Sequence, residues 1–186
     1  MPNLASATTM PNMFNGCVSL QSVSLPTASS IAAANGMFQG CSSLQSVSLP
    51  AVNTTGTLSN MQQMFQQCVS LQSIILPNTS QATNMFNMLS GCSSLQSVSN
   101  LNGNGATSST AYSSIFATCP SLQSISATNM KFTHSIGSLK LSAAQLNAYY
   151  TALPTVASGT LTVTGNWGTA TDNPAIATAK GWTVTG

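Results

Sequence analysis

The chain has 186 residues, 42% of them apolar, which is enough for one sizeable core and, on length, a single domain. Only 2% of residues are charged, against about 25% in an ordinary soluble domain, and three Lys with one Asp give a formal charge of +2. Hydrolysis by paired carboxylates, a calcium cage and a basic nucleic-acid stripe are thereby excluded, because each needs more charged groups than the chain has.

The N-terminus, Met1-Pro2-Asn3-Leu4-Ala5, has neither a basic start nor an apolar core and does not read as a secretory signal. Either a signal was removed, the segment belongs to a larger chain, or export takes another route. Ser, Asn, Gln or Thr interrupts every apolar stretch, so no bilayer span of about 18 residues is predicted. Apolar residues nevertheless recur at fixed spacing, which a disordered tract has no reason to keep.

Cys17, Cys41, Cys68, Cys92 and Cys119 are separated alternately by 24 and 27 residues, periods typical of a leucine-rich repeat. Bulky residues stand seven, four and three positions before each Cys, as in Met10, Met13 and Phe14 or Met61, Met64 and Phe65. That spacing predicts one face of a short helix ending in the Cys. Downstream, the pattern Leu20, Val23, Leu25 recurs as Leu44, Val47, Leu49 and as Leu71, Ile74, Leu76. It continues with Leu95 and Val98, and weakly with Leu122, Ile125 and Ala127, and it predicts a strand with one buried face. Pro26, Pro50 and Pro77 close the first three strands, where a residue without an N–H ends the ladder cheaply.

The tail keeps similar strand spacing, from Leu139/Leu141 to Leu161/Val163 to Trp182/Val184, and reads as three further coils of the same sheet. Ser142 and Gln145 form a capping box that opens a helix burying Leu146, Tyr149, Tyr150 and Leu153. Asn173-Pro174 starts a last short helix, Gly181 ends it, and Trp182 is a lid over the final coil. The expected fold is an α/β solenoid, a leucine-rich-repeat-like stack of short helix-turn-strand coils with one parallel β-sheet. Residues 1–127 hold the five Cys-marked repeats, and residues 128–186 form divergent C-terminal coils and a cap continuous with the same solenoid.

Met37 to Val47, Met-Phe-Gln-Gly-Cys-Ser-Ser-Leu-Gln-Ser-Val, recurs with substitutions five times and resembles the BspA-type leucine-rich repeats of bacterial surface proteins. Such repeats occur also in phage and marine viral structural proteins, and the resemblance covers residues 10 to 127. It implies adhesion without naming a ligand. The setting it suggests is a virion surface or an extracellular cell surface, first as a phage tail-fibre or host-contact part and second as a bacterial adhesin. This copy departs from many bacterial members in having almost no Asp or Lys in its repeats.

No catalytic residue, cofactor site or metal site is expected. His134, the sole candidate base, reads as a partly exposed surface residue, and the absence of a Cys-x-x-Cys pair argues against a tetrahedral metal. Cys17, Cys41, Cys68, Cys92 and Cys119 are expected as a ladder of buried, inert thiols. Asn53-Thr-Thr and Asn78-Thr-Ser are glycosylation sequons, meaningful only in a secretory host.

If the Leu and Val positions point inward, their neighbours point out. The candidate binding face is therefore Gln21, Ser22 and Ser24; Gln45, Ser46 and Ser48; Gln72 and Ser73; Gln96, Ser97 and Ser99; Gln123, Ser124 and Ser126. Hydroxyl and amide groups both donate and accept, which suits a host-cell glycan or a neutral protein surface. Duplication alone also produces such ladders. Uncapped ends suggest contact with other virion or fibre subunits, or self-association; a nucleic-acid partner and membrane insertion are not expected.

Overall fold

The computed structural model describes residues 8–25, 31–49 and 58–186. Pro26, Pro50 and the Asn53 sequon lie outside the described residues.

Each repeat crosses the core twice, once as a run of turns and once as a short strand. The strands β1 (Ser22–Ser24), β2 (Ser46–Ser48), β3 (Ser73–Ile75), β4 (Ser97–Asn102) and β5 (Ser124–Thr128) run parallel. Leu44, Leu71, Leu95 and Leu122 are fully buried just before their strands, and Ile74 and Val98 are buried within theirs.

Among the described residues no α-helix precedes the cysteines, only a 3-10 turn at Ser109–Tyr112 before Cys119, and this corrects the expectation from the 3/4 spacing. The backbone takes positive φ five and one positions before every Cys: Asn12 and Gly16, Gly36 and Gly40, Gln63 and Gln67, Asn87 and Gly91, Ser114 and Thr118. A left-handed residue every fourth position cannot propagate a right-handed helix. In the second repeat Met37 N–H donates to Ala34 O at 3.2 Å and Cys41 N–H to Phe38 O at 3.1 Å. Each bond closes a turn with its positive-φ residue in the third place. Inward residues therefore fall three, one and three apart, which imitates a helix face.

The remaining N–H groups of these turns point along the stack. Met10, Asn12, Phe14 and Gly16 donate to the carbonyls of Ala33, Asn35, Met37 and Gln39, at 2.8 to 3.0 Å. The second, third and fourth repeats each bond the next in the same way. This turn ladder runs unbroken from the first repeat to the fifth.

The strand side is broken. β1 and β2 form one sheet, β3, β4 and β5 a second, and β6 (His134–Ser135), β7 (Gly159–Thr162) and β8 (Trp182–Thr185) a third. Three small parallel sheets thus stand where one was expected.

The tail also differs from its reading. Its first strand is His134–Ser135, paired with Leu161 and Thr162, and Leu139 and Leu141 are buried residues outside any strand. Helix α1 (Ala143–Ala152) packs against β5, while Ser135 and Gly137 share a cavity with Ser113 and Ser114 from the turn segment of the fifth repeat. The tail sheet therefore lies on the turn side of the repeats, and its helix lies on their strand side. Gln145 N–H donates to Ser142 Oγ at 3.3 Å, so the Ser142 half of the expected box caps α1, which ends before Pro154. Helix α2 (Ala175–Thr178) follows Pro174, and Gly181 at φ 87° turns the chain into β8. Trp182 is an interior residue and not a lid: it is buried, with Nε1 donating to Pro154 O at 2.9 Å.

Candidate functional site

The strand face carries the residues singled out for binding, and none of them is buried. Ser22 pairs with Ser46, Ser24 with Ser48, and Ser73 with Ser97 and through it with Ser124, so hydroxyls stand side by side. Gln45 N–H donates to Gln21 O, Gln96 N–H to Gln72 O and Gln123 N–H to Gln96 O, at 2.7 to 2.9 Å, which sets the amides in the same rows.

Two features interrupt the rows. The β4–β5 register shifts between Val98 and Leu101, where Asn100 has φ 65°, so Ser99 and Ser126 are not partners. Between β2 and β3 no strand pairing joins the described residues, and a groove with a volume of about 500 Å³ opens there. Ser46, Ser48, Ser73, Asn78 and Asn100 surround it, and Ile75, 71% exposed, supplies an apolar spot. Polar groups that donate and accept, set around one apolar contact, match what a neutral polyhydroxylated or amide-bearing ligand offers. Asn78 Oδ1 accepts from Ser80 N–H at 3.0 Å, which gives this sequon a role in the local turn.

Behind that face the thiols form the expected column from the second repeat onward. Cys41, Cys68, Cys92 and Cys119 are buried, and each S–H donates to the carbonyl of Phe14, Phe38, Phe65 or Leu89 in the preceding repeat at 3.0 to 3.1 Å. Burial pushes the Cys68 thiol up to about 12 and Cys119 to about 11, and it raises Cys41 and Cys92 as well. Cys17 departs from the expectation. It is exposed, because among the described residues no repeat stands before it to cover it. All five cysteines are free, and among the described residues no three His, Cys, Asp or Glu groups are placed to hold a metal.

His134 is likewise not the partly exposed surface residue it was expected to be. It is buried between Tyr112 and Trp182, with ring centroids 5.9 and 5.5 Å away. Nδ1 lies 2.6 Å from Phe132 O, which can only accept, so Nδ1 carries the proton and Nε2 accepts from Tyr149 Oη at 2.7 Å. Desolvation lowers its pKa to about 4, against a weaker upward pull from the Phe132 carbonyl. A neutral imidazole locked at both nitrogens is a structural group.

Residues 8–129, and in an overlapping match residues 52–151, correspond to the family described as Mycoplasma protein of unknown function, DUF285. The chain belongs to the DUF285 family. No curated protein matches it, and no solved structure does.

Two features of this DUF285 chain escaped the sequence reading. On the turn side Asn15 Nδ2 donates to Gln39 Oε1 at 3.0 Å, and Gln39 Nε2 to Gln66 Oε1 at 2.7 Å, an amide row two positions before each of the first three Cys. The recurring Asn and Gln at that position were its signal. Trp167, 68% exposed, stands beside Asn166, whose side chain donates to Ile136 O and Val163 O and accepts from Leu141 N–H. Lys140 Nζ lies 5.5 Å from the Trp167 ring centre. A single exposed aromatic leaves no periodic trace in a sequence.

Among the described residues no helix is long and apolar enough to cross a membrane.

Proposed function

We propose that the repeats wind as one leucine-rich-type solenoid that serves as a non-enzymatic surface-recognition module, reading a neutral ligand on its strand face. The groove between β2 and β3, walled by Ser46, Ser48 and Ser73 and floored in part by Ile75, is the observation that carries this reading. With no charged residue before Lys131, attraction at long range is small, and binding there depends little on salt. Weak contacts repeated along the face favour display in many copies, where linked sites raise avidity. The BspA-type resemblance agrees with that role. It fits a phage tail-fibre or virion-surface part, or alternatively a bacterial cell-surface adhesin, toward which the Mycoplasma of the family description leans.

A second reading, a structural subunit that associates through its ends, is favoured by the first repeat, which leaves Met13 40% and Val18 57% exposed.

The test is a triple variant, Ser46→Arg, Ser73→Arg and Ser97→Arg, assayed on glycan arrays and whole cells. Binding is expected to collapse while the thermal melt stays near wild type, since these side chains are not buried. Unchanged binding removes the strand face, and sedimentation of the same dilute sample as a stable assembly favours the structural reading.

A further inference from the structure

The turn ladder stops abruptly at the fifth repeat. In the first four repeats the residue three positions before the Cys, Phe14, Phe38, Phe65 or Leu89, gives its N–H to a carbonyl of the next repeat, at 2.8 to 3.1 Å. Residues five and one before the Cys do the same, at similar distances. In the fifth repeat the equivalent donors, Ser114, Phe116 and Thr118 N–H, meet no acceptor among the described residues. The chain that returns over them is β6 with the residues after it, which bond away from them: Ile136 N–H donates to Thr162 O at 2.9 Å and Ser138 N–H to Thr164 O at 2.7 Å. By the alternation of a parallel ladder, Ser135 and Gly137 turn their backbone groups toward the fifth repeat instead.

Between these two edges lies a groove of about 510 Å³, within the range of ligand clefts, lined by Ser114, Phe116, Thr133, Ser135 and Thr162 among others. One wall offers free N–H donors at alternate residues, and the other offers the outer edge of the β6 segment, on which only Gly137 N–H is already held, by Ser135 Oγ at 3.1 Å. On both sides of the gap the stack is otherwise continuous, through the turn ladder of the repeats and through β6, β7 and β8. The gap has the form of one missing strand.

We propose that this groove binds an uncharged peptide segment of another protein, which enters as the missing strand and bonds both walls through its backbone. Three observations select a peptide. The unused donors stand at the spacing that backbone carbonyls fill in all four preceding steps. No Lys, Asp or Glu lines the groove, so it offers nothing to a charged side chain. Phe116 lies buried at its base beneath hydroxyl-bearing walls, giving an inserted segment one apolar and one polar side. This inference is independent of the strand-face reading, since the groove lies on the opposite side of the repeats.

Hydrogen exchange on the full chain tests it. The probe is an acetylated and amidated peptide with the sequence of residues 60–67, whose carbonyls take the donors of the second repeat. In the free protein the amides of Ser114 and Phe116 exchange fast, while those of Phe65 and Leu89 are protected. At about 1 mM peptide the two fast amides slow by about tenfold or more, and Ser135→Trp, which fills the groove from an exposed position, abolishes the slowing. Protection of Ser114 and Phe116 already in the free protein would overturn the proposal. So would the absence of slowing with peptide, or slowing produced only by a neutral oligosaccharide.

Discussion

The repeats and the tail are held together by different means. From residue 8 to 127 cohesion is serial: backbone ladders, a column of S–H bonds and the parallel stack of Phe14, Phe38 and Phe65, with centroids 5.3 and 5.4 Å apart. From residue 128 onward the ladder of β6, β7 and β8 is joined by single polar side chains that no other part of the chain repeats. Lys180 Nζ donates to the carbonyls of Tyr150, Thr151 and Leu153 at the end of α1, Asn166 ties three backbone segments, and Tyr150 Oη donates to Asp172 at 2.5 Å. The contrast teaches that a periodic core can do without charge, whereas the tail, whose contacts do not repeat, ties its segments through Lys180 and Asp172.

The comparison can be broken most forcefully in the repeats. Phe65→Ala removes a fully buried ring from the stack and is expected to destabilise by about 3–5 kcal/mol in urea melts, with β2 and β3 losing hydrogen-exchange protection together. Loss confined to one repeat would show that cohesion is local and not serial.

Acid should act on the tail. His134 is neutral when folded, with a pKa of about 4 against 6.5, so below pH 6.5 the unfolded chain takes up a proton that the folded chain refuses. Stability is therefore full above that value and falls as the pH drops, by about 3 kcal/mol on reaching pH 4. Urea melts at pH 7.5 and 4.5 should show the loss, exchange should locate it in β6 to β8, and His134→Gln should flatten most of it. An equal loss in the variant would assign the acid sensitivity elsewhere.

The smallest effect sharpens the account of the turns. Gln67 carries φ 60° where the equivalent position in three other repeats is Gly. Gln67→Gly is expected to raise stability by up to about 1 kcal/mol in thermal melts, as relief from the left-handed strain outweighs the lost unfolded-state restriction. Destabilisation would mean that the packing of the Gln67 side chain against Gly91 contributes more than the strain costs.

The repeat length, the inward Leu and Val residues and the outward hydroxyls were all legible, because each recurs and periodicity multiplies the signal. The runs before each Cys were misread because turns with a left-handed third residue place Met37, Phe38 and Cys41 at the same intervals as a helix face. Gly16, Gly36, Gly40 and Gly91 marked the difference, since a helix interior disfavours them. The tail strand was misplaced for a related reason: Leu139 and Leu141 alternate like a strand, while the paired segment contains His134, a polar residue that only its two bonds make tolerable inside. The break between β2 and β3 and the groove beside β6 arise from how neighbouring coils meet, which no single repeat encodes.

The column of S–H donors has a further consequence. Four sulfurs are shielded from alkylating reagents and oxidants alike, while Cys17 alone is accessible. The native chain therefore carries one chemically addressable point at its first repeat, where a dye, a surface linkage or a crosslink between two molecules can be placed without touching the interior.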